Sequence, residues 1–145
     1  MYYENCARLA PEMGWTASLC SVDRARGFVA LHQGDSQHAR TYFNNALQTA
    51  RDKNWNDARI LCLAGFAALY AVGAEPAVAA RFFAAAGALM AANRVQVSPV
   101  DQLEIDYFLT LCRAQCDPHV FEQAWAVGRT MTLEQTEVCA LELAS

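Results

Sequence analysis

A similar line of sequence occurs twice in this chain, and the repeat limits the folds that the chain can adopt. The segment ENCARLAPEMGW occupies positions 4–15, and NNALQTARDKNW occupies positions 44–55. Trp15 falls on Trp55 when the sequence is shifted by 40 positions without gaps. A fixed period of about 20 to 50 residues is typical of proteins that stack copies of one small structural unit.

Part of each unit has the spacing of an amphipathic helix. Residues 39–50 carry apolar side chains at intervals of three and four positions, which places them on one helix face. The same shift of 40 positions carries Ala39, Phe43 and Ala46 onto Ala79, Phe83 and Ala86. We therefore expect the unit to be a pair of helices, with Phe43 and Phe83 buried at equivalent places.

Composition favours helices throughout, so the predicted fold class is all-α. Alanine, the residue with the highest helix propensity, occupies 28 positions, against 7 glycines and 4 prolines. N-caps are expected at Asp35, Ser98 and Asp117, and Thr132 with Gln135 has the spacing of a capping box. The predicted helices are 2–12, 15–33, 35–52, 55–72, 75–93, 99–115, 118–129 and 133–143.

The repeat resembles the tetratricopeptide (TPR) family. The residues that carry the TPR-like spacing are Gly27, Ala39, Phe43 and Ala46, and then Ala67, Ala79, Phe83 and Ala86, with alanine in place of the glycine. The period of 40 is longer than the TPR period of about 34 and resembles that of MalT-like regulators. This resemblance implies a right-handed α-solenoid of helix hairpins.

The end of the chain resembles a more specific group of proteins. Residues 121–137 read FEQAWAVGRTMTLEQTE, which is similar to the FxxAWxxGRxMTLExA segment of LuxR-type bacterial regulators with a nucleotide-binding ATPase module. The resemblance implies one domain over residues 1–145, with repeats at 1–94 and closing helices at 95–145. It also implies a piece of a larger regulator, because neither the phosphate-binding loop of an ATPase nor a basic DNA-recognition helix occurs here.

Charge and hydropathy indicate the cellular location of the chain and the kinds of partner that it is not expected to contact. The net charge is −4 and the pI about 5.3, which disfavours a nucleic-acid surface. No apolar run is long enough for a membrane span, and the first residues do not have the basic start of a signal peptide. We expect a cytoplasmic protein with no nucleic-acid or membrane contact through this segment.

The sequence contains no recognisable catalytic motif, and we expect no metal ion or cofactor. Cys112, Cys116 and His119 have a spacing that a helix could bring to one metal, but no further ligand is apparent. We interpret the cysteines as buried apolar residues. The acidic residues Asp101, Glu104, Asp106, Glu134 and Glu137 are interpreted as favourable to a helix dipole.

In TPR arrays the first helix of each pair lines an inner groove, and the resemblance implies the groove positions here. In the first full repeat these are Ser21, Arg24, Phe28, Leu31 and His32. In the second they are Leu61, Ala64, Ala68, Ala71 and Val72. The second set is apolar, so we expect the closing helices to cover it, with Trp125 mostly buried above it. The first set, with Arg24 and His32, is expected to stay open. Trp15 and Trp55 are expected to pack between successive pairs.

The leading functional hypothesis is a non-catalytic interaction or sensor module of a bacterial signalling or transcriptional regulator. It would bind a protein, a peptide or a small inducer. An open polar groove would favour binding, whereas a groove filled by the closing helices would favour a structural spacer between ATPase and effector domains. A small enzyme is the remaining alternative. Residues 2–12 lack a partner helix, so we expect this end either to fray or to join two copies as a homodimer.

Overall fold

The computed structural model describes residues 16–144, with side chains described for residues 20–142, and in this range the chain forms seven α-helices and no strand. The helices are α1 Thr16–His32, α2 Ser36–Asp52, α3 Asn56–Val72, α4 Pro76–Ala92, α5 Pro99–Gln115, α6 Pro118–Gly128 and α7 Leu133–Ala144. Each bound lies within one residue of the prediction, so the all-α class is confirmed. The predicted helix at 2–12 and Trp15 lie outside the described residues. No helix within residues 16–144 combines the length and apolar character needed to cross a membrane.

Helices α1 to α4 have equal lengths and equal connections, a regularity that the amino-acid sequence alone does not reveal. Each contains 17 residues, and three residues separate it from the next. The middle residue of each connection has a positive φ, at Gly34 (77°), Asn54 (55°) and Ala74 (62°), and Arg94 (53°) follows α4 in the same way. The backbone therefore repeats every 20 residues, and two such units make the 40-residue period of the sequence.

The positive φ values belong to a common way of ending a helix. The residue after each left-handed position donates its N–H to a carbonyl five positions earlier, as in Asp35 to Ala30 (2.8 Å) and Trp55 to Ala50 (2.9 Å). This bond satisfies a helix-end carbonyl that would otherwise lack a partner. Glycine suits the left-handed position best, yet the same bond closes the turns at Ala74 and Arg94. The chain direction after each helix is thus fixed by backbone hydrogen bonds.

Consecutive helices pack as two hairpins, α1 with α2 and α3 with α4, and α2 also packs against α3. Phe43 on α2 packs between the two hairpins and is fully buried. A Cβ built on Gly27 of α1 or on Gly65 of α3 would overlap the Phe43 ring. Two glycines therefore make the space in which one aromatic side chain joins three helices. The equivalent Phe83 is 4% exposed, so both rings are buried as expected.

Helix α3 forms the centre of the molecule. Every residue from 62 to 71 is buried, because α2, α4, α5 and α7 all pack against α3. The expectation that closing helices cover the apolar second groove set is therefore correct for α5 and α7. It is wrong for α6, which packs against α4 instead. A Cβ on Gly128 would collide with the Arg81 carbonyl, and this close approach fixes α6 on α4.

Local capping explains why the closing helices begin where they do. Ser98 accepts a hydrogen bond from the backbone N–H of Asp101 (3.1 Å), and Asp117 accepts one from that of His119 (2.9 Å). Thr132 and Gln135 exchange side-chain to backbone bonds of 3.0 and 3.1 Å, which confirms the capping box. These short-range bonds position α5, α6 and α7 along the chain, while longer-range contacts decide where each helix packs.

Candidate functional site: a pocket between four helices

The groove face of α1 is covered by α5, so the expectation that this part stays open is wrong. Arg24 is only 7% exposed and donates to the carboxylate of Asp101 (3.1 Å). Phe28 is buried, and its ring stacks on that of Phe108 with centroids 6.0 Å apart. Arg24 and Phe28 therefore hold the chain's own fifth helix, and are not presented to a partner.

The other predicted groove residues have mixed environments. Leu31 is buried, whereas Ser21 is exposed. His32 is exposed at the end of α1, where its Nε2 lies 2.8 Å from the carboxylate of Glu104 and its ring lies against Tyr107. Only Ser21 and His32 of the predicted set remain accessible to another molecule.

The sequence contained a signal for this arrangement that residue-by-residue interpretation missed. Arg24, Phe28 and His32 are four residues apart on α1. Asp101 and Phe108 lie on one face of α5, and they contact Arg24 and Phe28 in the same order along the two helices. Asp101 does lie in the first turn of α5, where a negative charge favours the helix dipole, but its carboxylate also reaches another helix.

A second ion pair fixes α7, and it gives Glu137 a role beyond the helix-dipole interpretation. Glu137 is 1% exposed, and its two carboxylate oxygens accept from Arg59 of α3 at 2.7 and 2.6 Å. Arg51 of α2 approaches the same carboxylate at 3.7 Å. The hydrogen bonds that Arg59 donates to Glu137 raise the pKa of Arg59. A buried carboxylate is stable only with such pairing, so α7 is tied to α2 and α3 at this point.

A pocket of about 450 Å³ remains between α3, α4, α5 and α6. Its walls include the small residues Ala64, Ala86 and Gly87 and the larger residues Ile105, Leu109 and Trp125. Small side chains on α3 and α4 leave volume that α5 does not fill. A Cβ built on Gly87 would meet no atom within 4 Å, which shows that open space begins at the helix backbone. This volume and apolar lining are typical of small-molecule sites.

Trp125 lies at the edge of this pocket, and its predicted position is only partly correct. It stacks on Phe121 with ring centroids 5.4 Å apart, as expected for neighbours on one helix face. It is half-buried, however, and not mostly buried, and it shares the pocket with Ala64. The reason is that α6 packs on α4 and not on α3, so the indole borders the pocket that separates α6 from α3.

Polar groups also border the apolar pocket. Gln102 donates to the carboxylate of Asp106 (2.8 Å), and both residues belong to α5. Arg94 lies in the connection after α4 and forms no ion pair within residues 16–144. A bound molecule would therefore meet apolar walls together with an amide, a carboxylate and a guanidinium. This arrangement can hold an apolar body that carries a small polar group.

The predicted repeat positions and cysteines lie mostly in the core. Among the side chains of residues 20–142, Ala39, Ala46, Ala79 and Ala86 are at most 1% exposed, Gly27 is buried, and Trp55 is half-buried at the start of α3. Cys20, Cys62 and Cys112 are buried free thiols. Cys116 is half-buried and His119 is exposed, and no group of three or more His, Cys, Asp or Glu in the described part could hold a metal ion.

The buried thiols have altered ionisation. The hydrogen bond between Cys62 and Cys20, together with burial, raises the pKa of Cys62. Burial raises the pKa of Cys112 to about 11, and this thiol donates to the Pro76 carbonyl at 3.2 Å. Cys62 and Cys112 therefore remain protonated near neutral pH and pack as small apolar groups.

The chain was compared with family models, with curated proteins and with solved structures, and none of them matched. A function is therefore inferred from the residues and geometry of this chain. The apolar pocket with its few polar groups is an arrangement that fits a small ligand.

Proposed function

We propose that this chain is a non-catalytic, TPR-like helical sensor module of a bacterial signalling or transcriptional regulator, with a small, largely apolar inducer bound in the pocket between α3, α4, α5 and α6. The pocket carries this proposal, because its volume of about 450 Å³ suits a small molecule and its walls are mostly apolar. A peptide in the inner groove of α1 is disfavoured, because α5 covers Arg24 and Phe28.

The assignment to TPR-like repeats rests on two features of the hairpins. The four equal helices and their recurrent left-handed turns provide a regular repeat. Phe43 between Gly27 and Gly65 supplies the close helix contact that a small-residue signature predicts. The relation to MalT-like and LuxR-type regulators rests on the sequence of residues 121–137, of which Phe121 and Gly128 are buried against the rest of the chain.

The pocket can be blocked at Gly87. Gly87 is an exposed residue of the pocket lining, and a Cβ there would meet no atom within 4 Å, so we expect Gly87→Phe to place a ring across the pocket. Gly87→Ala is the matched control that leaves most of the volume free. Anilinonaphthalene sulfonate is a suitable probe, because it combines apolar rings with one anionic group. We expect the wild type and Gly87→Ala to enhance its fluorescence, and Gly87→Phe to bind it at least about tenfold more weakly.

Tryptophan fluorescence locates the bound probe. Trp125 borders the pocket, whereas Trp55 lies at the start of α3 and is not part of its lining. We expect energy transfer to the probe to fall strongly in Trp125→Phe and little in Trp55→Phe. Equal binding by Gly87→Phe and the wild type, or equal transfer in the two tryptophan variants, would show that the pocket is not the site.

A second function is favoured by the filled groove. Helices α5 and α7 are tied to the hairpins by buried or partly buried ion pairs, as expected of a rigid spacer between an ATPase and an effector domain. A spacer would hold the ATPase and effector domains at a fixed distance and would need no ligand. In the parent regulator, Gly87→Phe would leave a spacer's output unchanged, whereas it would abolish the response of a sensor.

A further inference from the structure

Helix α5 is apolar on two opposite faces, and only one of them is covered. Phe108 and Cys112 are buried against the hairpins. On the other side Val100, Leu103 and Tyr107 are 65%, 70% and 57% exposed. These are the three most exposed large apolar side chains among the described residues, and they lie on one helix. Isolated exposed apolar residues are ordinary, but a contiguous stripe indicates an interaction site.

The stripe has the spacing of a coiled-coil contact. Val100, Leu103, Tyr107, Thr110 and Ala114 follow one another at intervals of three, four, three and four residues, and all are exposed. This alternation defines the face through which two helices pack along their length. We call these five residues the α5 seam. No member of the seam is charged, and a shallow groove that includes Leu103, Tyr107 and Ala114 runs beside it to His32.

We propose that the α5 seam binds the α5 seam of a second copy of this chain, with the two helices antiparallel. If Tyr107 of one copy lies opposite Thr110 of the other, Leu103 lies opposite Ala114. Each large side chain then meets a small one, and the two-fold symmetry repeats both contacts. Closed two-fold dimers are the commonest oligomers.

Charge complementarity supports a second copy and this direction. Asp106 and Arg113 flank the seam on the same side, one heptad apart, and both are exposed. In the antiparallel register above, Asp106 of each copy lies beside Arg113 of the other, which gives two opposite-charge pairs. A parallel pair would place Tyr107 on Tyr107 and would not bring Asp106 to Arg113. The charges that flank the α5 seam are therefore complementary only when the two α5 helices are antiparallel.

The contact is small, and this sets the expected affinity. One pair of helices of 17 residues falls at the low end of interface sizes, below about 1,200 Å² in total. We therefore expect a reversible dimer with a dissociation constant in the micromolar range. None of the five seam residues lines the pocket, although the flanking Asp106 does, and the contact involves α5 and not the chain start at 2–12, where the sequence suggested a dimer.

Sedimentation equilibrium of the 145-residue chain over micromolar to millimolar concentrations tests the proposal. We expect the wild type to form dimers and Leu103→Glu to raise the dissociation constant at least about tenfold. Val120→Glu is the matched control, because Val120 is also exposed and apolar (42% exposed) but lies on α6 outside the seam. Circular dichroism establishes that each variant is folded.

Charge reversal tests the antiparallel register. Asp106→Arg and Arg113→Asp should each weaken the dimer, and the double variant should restore it to within about threefold of the wild type. A wild type that remains monomeric overturns the proposal. A dimer that resists Leu103→Glu but dissociates in Tyr3→Glu also overturns it and places the contact at the chain start. Loss of dimer in both single variants without recovery in the double variant excludes this register.

Discussion

Phe43 and the glycines around it show how single residues set the distance between helices. The ring lies where a Cβ on Gly27 or Gly65 would be, so the hairpins can approach closely only because both positions lack a side chain. The TPR-like spacing of the sequence identified Phe43 and Gly27, whose equivalents in the next repeat are Phe83 and Ala67. It did not identify Gly65, which has no equivalent in the repeat and is recognisable only from its contact with the ring.

Alanine substitutions at Gly65 and Gly87 should change the free energy of unfolding in opposite directions. Phe43→Ala should lower the free energy of unfolding by about 3–5 kcal/mol, because it removes a fully buried ring. Gly65→Ala should lower it by about 1–3 kcal/mol through overpacking. Gly87→Ala, also within a helix but facing open space, should raise it by about 0.5–1 kcal/mol. Urea denaturation measures all three, and equal stability of Gly65→Ala and Gly87→Ala would contradict the packing described for Phe43.

Cys112 should make stability fall in alkaline solution. Burial raises its pKa from the ordinary value of 9.0 to about 11, so the unfolded chain loses this proton at a lower pH than the folded chain. The resulting stabilisation is complete below pH 9 and is lost as the pH rises towards 11. Thermal melts between these pH values should show a smaller decline for Cys112→Ala than for the wild type. An unchanged decline would assign the alkaline loss to other groups, such as Cys62 or Tyr70, whose pKa values burial also raises.

At the scale of helices, sequence predicted the elements well and their packing less well. Helix ends depend on short-range signals, such as Asp35, Ser98 and the Thr132–Gln135 pair, and these are readable from neighbouring letters. The path of α5 across α1 depends on Arg24 and Asp101, which are 77 positions apart. The pocket depends on volume that α5 and α6 leave above Ala64 and Gly87. Neither the path of α5 nor the pocket has a signature in neighbouring residues. The covered groove was predictable only by matching residues on α1 and α5, and the pocket was not predictable.

The attachment of α7 provides a prediction at this scale. Glu137→Gln removes the buried charge that Arg59 and Arg51 share and leaves the Arg59 donors poorly matched. We expect the free energy of unfolding to fall by about 3 kcal/mol, near the lower end for breaking a buried pair. Glu134→Gln is the matched control, since Glu134 is 73% exposed and lies 3.8 Å from the same Arg59. Its effect should stay below about 1 kcal/mol. Similar losses in the two variants would contradict a special role for Glu137.

At the scale of the whole molecule, the closing helices are attached at separate places. Helix α5 is held to α1 by Arg24 and Asp101, and α7 is held to α3 by Arg59 and Glu137. Between them α3 is buried along ten consecutive residues, from 62 to 71, and forms the common support. Such an arrangement allows one closing helix to open while the hairpins stay folded, because proteins open in local units of differing stability.

Hydrogen exchange followed by mass spectrometry tests whether the two attachments act independently. Asp101→Asn should accelerate exchange in α5 and leave α7 unchanged, since only the bond to Arg24 is weakened. Glu137→Gln should accelerate α7 and leave α5 unchanged, since the two helices contact different faces of the hairpins through different ion pairs. In both variants α3 should remain the slowest region. If either substitution accelerates all helices alike, the closing helices and hairpins unfold as one cooperative unit, and α5 cannot open separately to admit a ligand to the pocket.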